Sequence, residues 1–165
     1  MSSLFLENFL NELSINNVNA IGYTESEVDD IKRLYNIEVK GQLEAFLLEM
    51  GKSDGGGIGD AMIPLYRPSW MVREHLLFQL DFFNQMQEEG YYDYLNKPFV
   101  IAWISETQYY FLQTSSARPD LVYHYDANNE TVAETQWDLF QFLIYLAKEN
   151  NGELQLATTG GLLNI

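Results

Sequence analysis

Two histidines and an unusual stock of carboxylates are the side chains of this sequence best suited to acid–base or metal chemistry. His124 and Asp126 lie two apart on a segment that reads as a strand, so both point to one face. They could share a hydrogen bond or supply two metal ligands. Zinc takes at least three protein ligands, and no third stands nearby in sequence, so a structural His–Asp contact is expected. His75 has neither carboxylate nor histidine at i±4 on its helix. The pairs Glu88/Glu89 and Glu25/Asp29 are of the type glycoside hydrolysis uses, but among 24 acidic residues such pairs arise by coincidence. Ser115 and Ser116 lack the glycines of a nucleophile elbow. Gly51-Lys52-Ser53 ends like a phosphate-binding loop, yet the glycine needed five positions earlier is Phe46, and a helix leads into it instead of a strand. Gly55, Gly57 and Gly59 could form an anion nest, but Asp54 and Asp60 would repel phosphate. No enzyme motif survives, and no metal or cofactor is expected.

The tyrosines Tyr91, Tyr92, Tyr94, Tyr109, Tyr110, Tyr123 and Tyr125 could stack on bases or sugars, but no basic residues stand beside them, so a nucleic-acid platform is not expected. Alternation sends some of Tyr109, Phe111, Tyr123 and Tyr125 into the core. A tyrosine-rich acidic body suits a protein-binding surface instead.

The net charge of −15 excludes whole classes of partner. Nucleic-acid backbones and anionic membranes both require Lys and Arg. Residues 83–165 carry 11 acids against 3 bases. Many of these acids fall in expected turns and sheet edges: Glu88, Glu89, Asp93, Glu106, Asp120, Asp126 and Glu130. They form either a solvated face or a negative patch that steers a basic protein. Absence of cysteine fits a reducing compartment, and the first residues lack the pattern of a signal peptide. A cytoplasmic protein is the expectation, with a monomer favoured.

These residues must be positioned by secondary structure. Leu4, Phe5, Leu6, Phe9, Leu10 and Leu13 recur at helical spacing, with Ser2 or Ser3 as cap. Thr24-Glu25-Ser26-Glu27 is a capping box, and Val28, Ile31, Leu34 and Tyr35 are the stripe of the helix it opens. Leu43, Phe46, Leu47 and Met50 face inward on a third helix, ended by Gly51 as a C′ glycine. Ala61 to Leu65 reads as a short strand. Ser69 caps a long helix to about Gln87, stopped near Gly90, with Trp70, Leu76, Leu77, Leu80, Phe83 and Met86 inward. Strands are expected at Phe99–Ile104, Gln108–Gln113 and Leu121–Tyr125, with a fourth over Thr131–Ala133. Glu106 occupies the first turn and Asp126-Ala127-Asn128-Asn129 the second. Thr135-Gln136-Trp137-Asp138 reads as a capping box for the last helix. The expected class is α+β: an antiparallel sheet of about four to six strands, with N-terminal helices and a C-terminal helix packed on one face. One domain covers 1–165, with 1–20 a helical extension and 150–165 a tail.

Several segments, in order, resemble the SUKH superfamily of Smi/Knr-type proteins. Tyr23 to Ile31 resembles its opening helix. Leu43 to Met50, followed by Gly55-Gly56-Gly57, resembles its "FLL…NGG" segment. Tyr109 to Leu112 and Leu121 to Asp126 resemble its paired strands, and Trp137 to Leu143 its closing helix. The sequence departs from the pattern at Val39 to Leu43, where a proline turn is usual, and in the helix from Ser69 to Gln87. The resemblance implies an α+β fold and a non-catalytic immunity protein that binds a cognate toxin domain, often a nuclease. The seven turn acids are then the expected toxin contacts. A regulatory or scaffold adaptor of the cell-wall-signalling type is the alternative. A carboxylate-based hydrolase is the third reading.

Overall fold

Leu43, Phe46, Leu47 and Met50 of α3 (Gly41–Met50) are all buried, and they set the centre of the main core. The computed structural model describes residues 4–15, 19–55, 72–149 and 163, with residues 72–74 described by backbone alone. Against α3 lie α1 (Phe5–Glu12), α2 (Glu25–Tyr35) and α5 (Leu139–Glu149). Strands β1 (Pro98–Ile104), β2 (Gln108–Gln113), β3 (Leu121–Asp126) and β4 (Thr131–Asp138) form one antiparallel sheet in chain order. The protein is therefore α+β with a four-stranded sheet. Ser2, Ser3, the loop glycines Gly56, Gly57 and Gly59, the segment Ala61–Leu65, Ser69, Trp70 and the tail from residue 150 lie outside the described residues, apart from Leu163, which packs on the main core.

Strand alternation divides the side chains between two cores. Phe99, Ile101, Leu112 and Val122 face the four helices, with Phe9, Ile31, Phe46 and Phe142 opposite. Val100, Tyr109, Phe111, Tyr123 and Tyr125 face the other way. That second face is covered too, by Phe82 and Met86 of α4 (Val72–Glu88). The N-terminal helices and the C-terminal helix share one face as expected, and α4 adds a cover on the other. A bulge between Val100 and Ala102 lets Ile101 and Ala102 both reach the main core.

The helix ends show where local sequence decided and where it was overruled. Thr24 caps α2 as expected. Its hydroxyl accepts from the Glu27 amide at 3.1 Å, and the Glu27 carboxylate accepts from the Thr24 amide at 3.1 Å. Gly90 ends α4 at φ +78°, with Tyr91 N–H donating to Met86 and Gly90 N–H to Gln87, the paired bonds of a Schellman stop. Gly51 is different: its φ of −70° is ordinary, and it is small because a Cβ there would press on the Leu47 backbone. Leu34, expected inside, is 38% exposed. At α1 the N-cap position is Leu4, and the Leu6 amide finds the Glu49 carboxylate on α3.

The expected box at Thr135 is not used. Residues 131–138 are all strand, because Tyr123, His124, Tyr125 and Asp126 pair with Glu134, Ala133, Val132 and Thr131. The Thr135 hydroxyl donates to the Val122 carbonyl at 2.7 Å. The working cap lies three residues on: Asp138 accepts from the Gln141 amide at 2.8 Å, and Gln141 accepts from the Asp138 amide at 3.0 Å. Gln42 locks this junction to α3. Its amide nitrogen donates to Asp138 at 3.0 Å and its oxygen accepts from Phe140 N–H at 2.9 Å.

The largest departure concerns α4. Its inward residues are His75, Phe82 and Met86, while Leu77 and Leu80 stand 64% and 56% exposed. The helix lies along β1, an outer strand whose backbone needs polar partners. Gln79 donates to the Pro98 carbonyl at 2.9 Å and accepts from Val100 N–H. His75 Nε2 donates to the Val100 carbonyl at 2.8 Å. Polar side chains therefore occupy part of the inward face, and two leucines are rotated outward. Beyond β4, at the opposite edge, no described strand pairs.

Candidate functional site

Two antiparallel hairpins bring the turns after β1 and after β3 to the same end of the sheet. They are bonded to each other: Ala127 N–H donates to the Thr107 carbonyl at 2.8 Å, and Asn128 Nδ2 to Thr107 Oγ1 at 3.1 Å. Glu106, Asp126 and Glu130 therefore share one end. The C-terminus of α4 arrives at that end as well. The Tyr91 hydroxyl donates to the Glu130 carbonyl at 2.7 Å. Glu89 lies close enough to Glu130 that its carboxyl is raised above the usual range, by partial desolvation and then by the charges of Glu130 and Glu88. Tyr125 is raised by burial, with Glu89 and Glu130 adding to it. Five of the seven expected acids thus converge: Glu88, Glu89, Glu106, Asp126 and Glu130.

The ion pairs among the described residues lie elsewhere, as at Lys52–Glu27 (2.9 Å) and Arg118–Glu134 (3.3 Å). This end of the sheet therefore presents uncompensated negative charge.

The five are not equivalent. Asp126 holds its turn together. It accepts from Gln108 Nε2 at 3.0 Å, from Asn128 N–H at 2.9 Å and from Asn129 Nδ2 at 2.7 Å. These bonds, led by Gln108, lower its carboxyl. Glu106 and the preceding Ser105 are held at φ +63° and +54°, the left-handed pair of a tight hairpin turn that glycine or asparagine fills at less cost. Glu106→Gly is accordingly expected to raise stability by about 0.5–1 kcal/mol, read as a higher urea midpoint; an unchanged or lower midpoint would show that the Glu106 side chain supports the turn.

Asp93 and Asp120 are not brought to this end. Asp93 sits in the 3₁₀ turn Tyr92–Tyr94, on the segment returning across the sheet, where Tyr94 packs on Tyr123 at 5.8 Å. Asp120 precedes β3 at the opposite end. Its carboxylate accepts from Gln42 N–H at 2.9 Å and its carbonyl from Leu139 N–H at 2.8 Å.

The other candidates take structural places. Between His124 and Asp126 stands Gln108, which meets His124 Nε2 at 2.6 Å and donates to Asp126, so the expected direct contact is a bridged one. His124 stacks on Tyr110 with ring centroids 4.6 Å apart, and burial lowers its basicity, with Asp126 opposing. Lys52 pairs with Glu27 and lies 5.4 Å from the Tyr23 ring centre. Ser53 is buried in a bridge to Ile21. The Ser116 hydroxyl closes its turn on the Gln113 carbonyl at 2.8 Å. Asp29 pairs with Lys32 at 3.6 Å. The tyrosines Tyr109, Tyr123 and Tyr125 are buried with Phe111 in the second core, and the Tyr109 hydroxyl donates to Asp81 at 3.0 Å.

No group of three or more His, Asp or Glu among the described residues is placed to hold a metal. No described helix is long and apolar enough to cross a membrane. Sequence reading did not find the outward leucines of α4, and the only signal for them was an apolar stripe broader than one helix face can bury. Comparison with protein-family models and with curated proteins gives no match.

Proposed function

We propose that this chain is an immunity protein that binds a basic bacterial toxin domain stoichiometrically and blocks it. A nuclease toxin suits the reading best, because its cleft must be positive to hold a polyanion. One observation carries the proposal: two turns and a helix end gather carboxylates at one end of the sheet, and the ion pairs of the described residues lie elsewhere. The ordered resemblance to SUKH immunity proteins supports it, as does the overall charge of −15. Such a surface acts first on encounter. Complementary potentials raise association rates by about 10–10³-fold and fade as salt screens them.

The test is rescue. Co-expression should protect cells from the variable C-terminal domain of a secreted protein encoded beside this gene. Reversing Glu88, Glu89 and Glu130 together to lysine is expected to slow association with that domain by about tenfold or more at low salt. These residues are exposed, so thermal stability should hold. Association that is indifferent to both salt and charge reversal would overturn the electrostatic reading. Failure of the parent protein to protect would overturn the immunity role.

A further inference from the structure

Leu77 and Leu80 are exposed on a helix whose sequence places them among apolar neighbours, and their surroundings are more than two isolated surface leucines. Leu80 and Phe83 form one wall of an open groove of about 360 Å³; Tyr35, Leu95 and Pro98 line much of the rest, with Asn36, Gln79 and Lys97 among them. The groove runs between α4 and the segment leading into β1. Lys97 stands at one side of it, where it faces Glu38. Along the same helix and the turn that follows, residues 75–96 contain Asp81, Glu88, Glu89 and Asp93 and no Lys or Arg. The surface therefore changes along its length, from an apolar groove to an acidic end. Tyr92, 64% exposed, stands beside that end.

We propose that this face of α4 is the anchoring half of the binding surface, taking apolar side chains from a basic protein segment whose cations meet Glu88 and Glu89. The inference deepens the proposed function and rests on it for the identity of the partner, though not for the chemistry of the surface. Charge selects the occupant. A second copy seated on this face would bring another acidic row against the first, with like charges opposed. A nucleic acid or an anionic lipid would meet the same repulsion. A basic segment satisfies both parts of the surface. Affinity in protein interfaces is concentrated in a few buried apolar anchors, while rim charges mainly set the encounter rate. The acids of the sheet end then guide the partner, and Leu77, Leu80 and the groove hold it.

The probe is a labelled amphipathic peptide with leucines at helical spacing and lysines elsewhere, titrated against the full chain by fluorescence anisotropy. Binding to the parent is expected, with affinity at least about tenfold lower in the Leu77→Asp, Leu80→Asp double variant. Both sites are exposed, so the variant should fold; its thermal midpoint is measured alongside. A counterpart peptide with glutamates for lysines should not bind. Equal binding to parent and variant, no binding to the parent, or equal binding of the glutamate peptide would each overturn the proposal. So would a dimer of the parent that the double variant abolishes. The two readings separate in the rescue assay. A double variant that protects cells as well as the parent, with indifferent peptide binding, removes the anchor and keeps the immunity role. Peptide binding lost in the double variant, in a protein that protects against no toxin domain, keeps the surface and removes that role.

Discussion

Gly22→Ala is expected to destabilise the protein by about 3 kcal/mol or more, a large part of the 5–15 kcal/mol typical of a whole domain. The chain around Gly22 runs against the end of α3. Ile21 N–H donates to the Ser53 carbonyl at 2.9 Å, Ser53 N–H returns to the Ile21 carbonyl at 2.9 Å, and Tyr23 N–H donates to the Leu47 carbonyl at 2.8 Å. Between these bonds, a Cβ on Gly22 would overlap the Leu48 carbonyl group. That obstacle is helix backbone, so no rotamer change relieves it; either α3 shifts or the flanking bonds break. Gly90→Ala provides the contrast. Its φ is +78° with nothing within 4 Å of a new Cβ, so only the left-handed strain applies, about 1 kcal/mol. Urea unfolding of both variants checks the pair. Equal losses would show that close approach at Gly22 is not what the glycine serves.

His75 should make stability depend on pH. The imidazole is fully buried between Tyr35 and Phe99, with ring centroids at 4.9 and 5.0 Å. Nε2 is committed to the Val100 carbonyl, and Nδ1 is buried with no hydrogen-bond partner among the described residues. Burial lowers its basicity to about 4, partly opposed by the Val100 bond. In the unfolded chain histidine takes its proton near pH 6.5. Above that pH the group is neutral in both states and contributes no slope. Between about 6.5 and 4 the unfolded state binds a proton that the folded state refuses. Stability then falls as pH drops, by up to about 1.4 kcal/mol per unit and about 3 kcal/mol across the window. His75→Phe keeps the aromatic packing and removes the titration. It should be less stable at pH 7 by about 1–3 kcal/mol, because the Val100 carbonyl loses its donor, yet its urea midpoint should fall less on acidification than the parent's. The carboxylates titrate alike in both proteins, so the difference between the two curves isolates His75. Parallel curves would show that His75 is not held neutral.

Much of this fold was legible because pattern and environment agreed. The stripe of α3, the box at Thr24 and the alternation of Tyr109, Phe111, Tyr123 and Tyr125 each point one way, and the structure follows. The convergence of Glu106, Asp126 and Glu130 was implicit in two consecutive hairpins, since antiparallel pairing puts alternate turns at one end. The arrival of Glu89 there was not, because nothing local says where α4 ends relative to the sheet. Where two local signals competed, pairing chose: residues 135–141 spell a cap at Thr135 and another at Asp138, and the β3 ladder extends past the first. The face of α4 was misread for a physical reason. Apolar counting assumes that the inside wants only apolar groups, whereas the bare backbone of β1 wanted the imidazole of His75 and the amide of Gln79.

The other border of the sheet carries a different consequence. β4 has no such cover from the described residues, yet a bulge interrupts its ladder between Leu121 and Tyr123, and Glu134 stands exposed in its middle. A kinked, charged border is a poor template for a foreign strand. Many copies of the chain can therefore stand close together without their sheets joining into one.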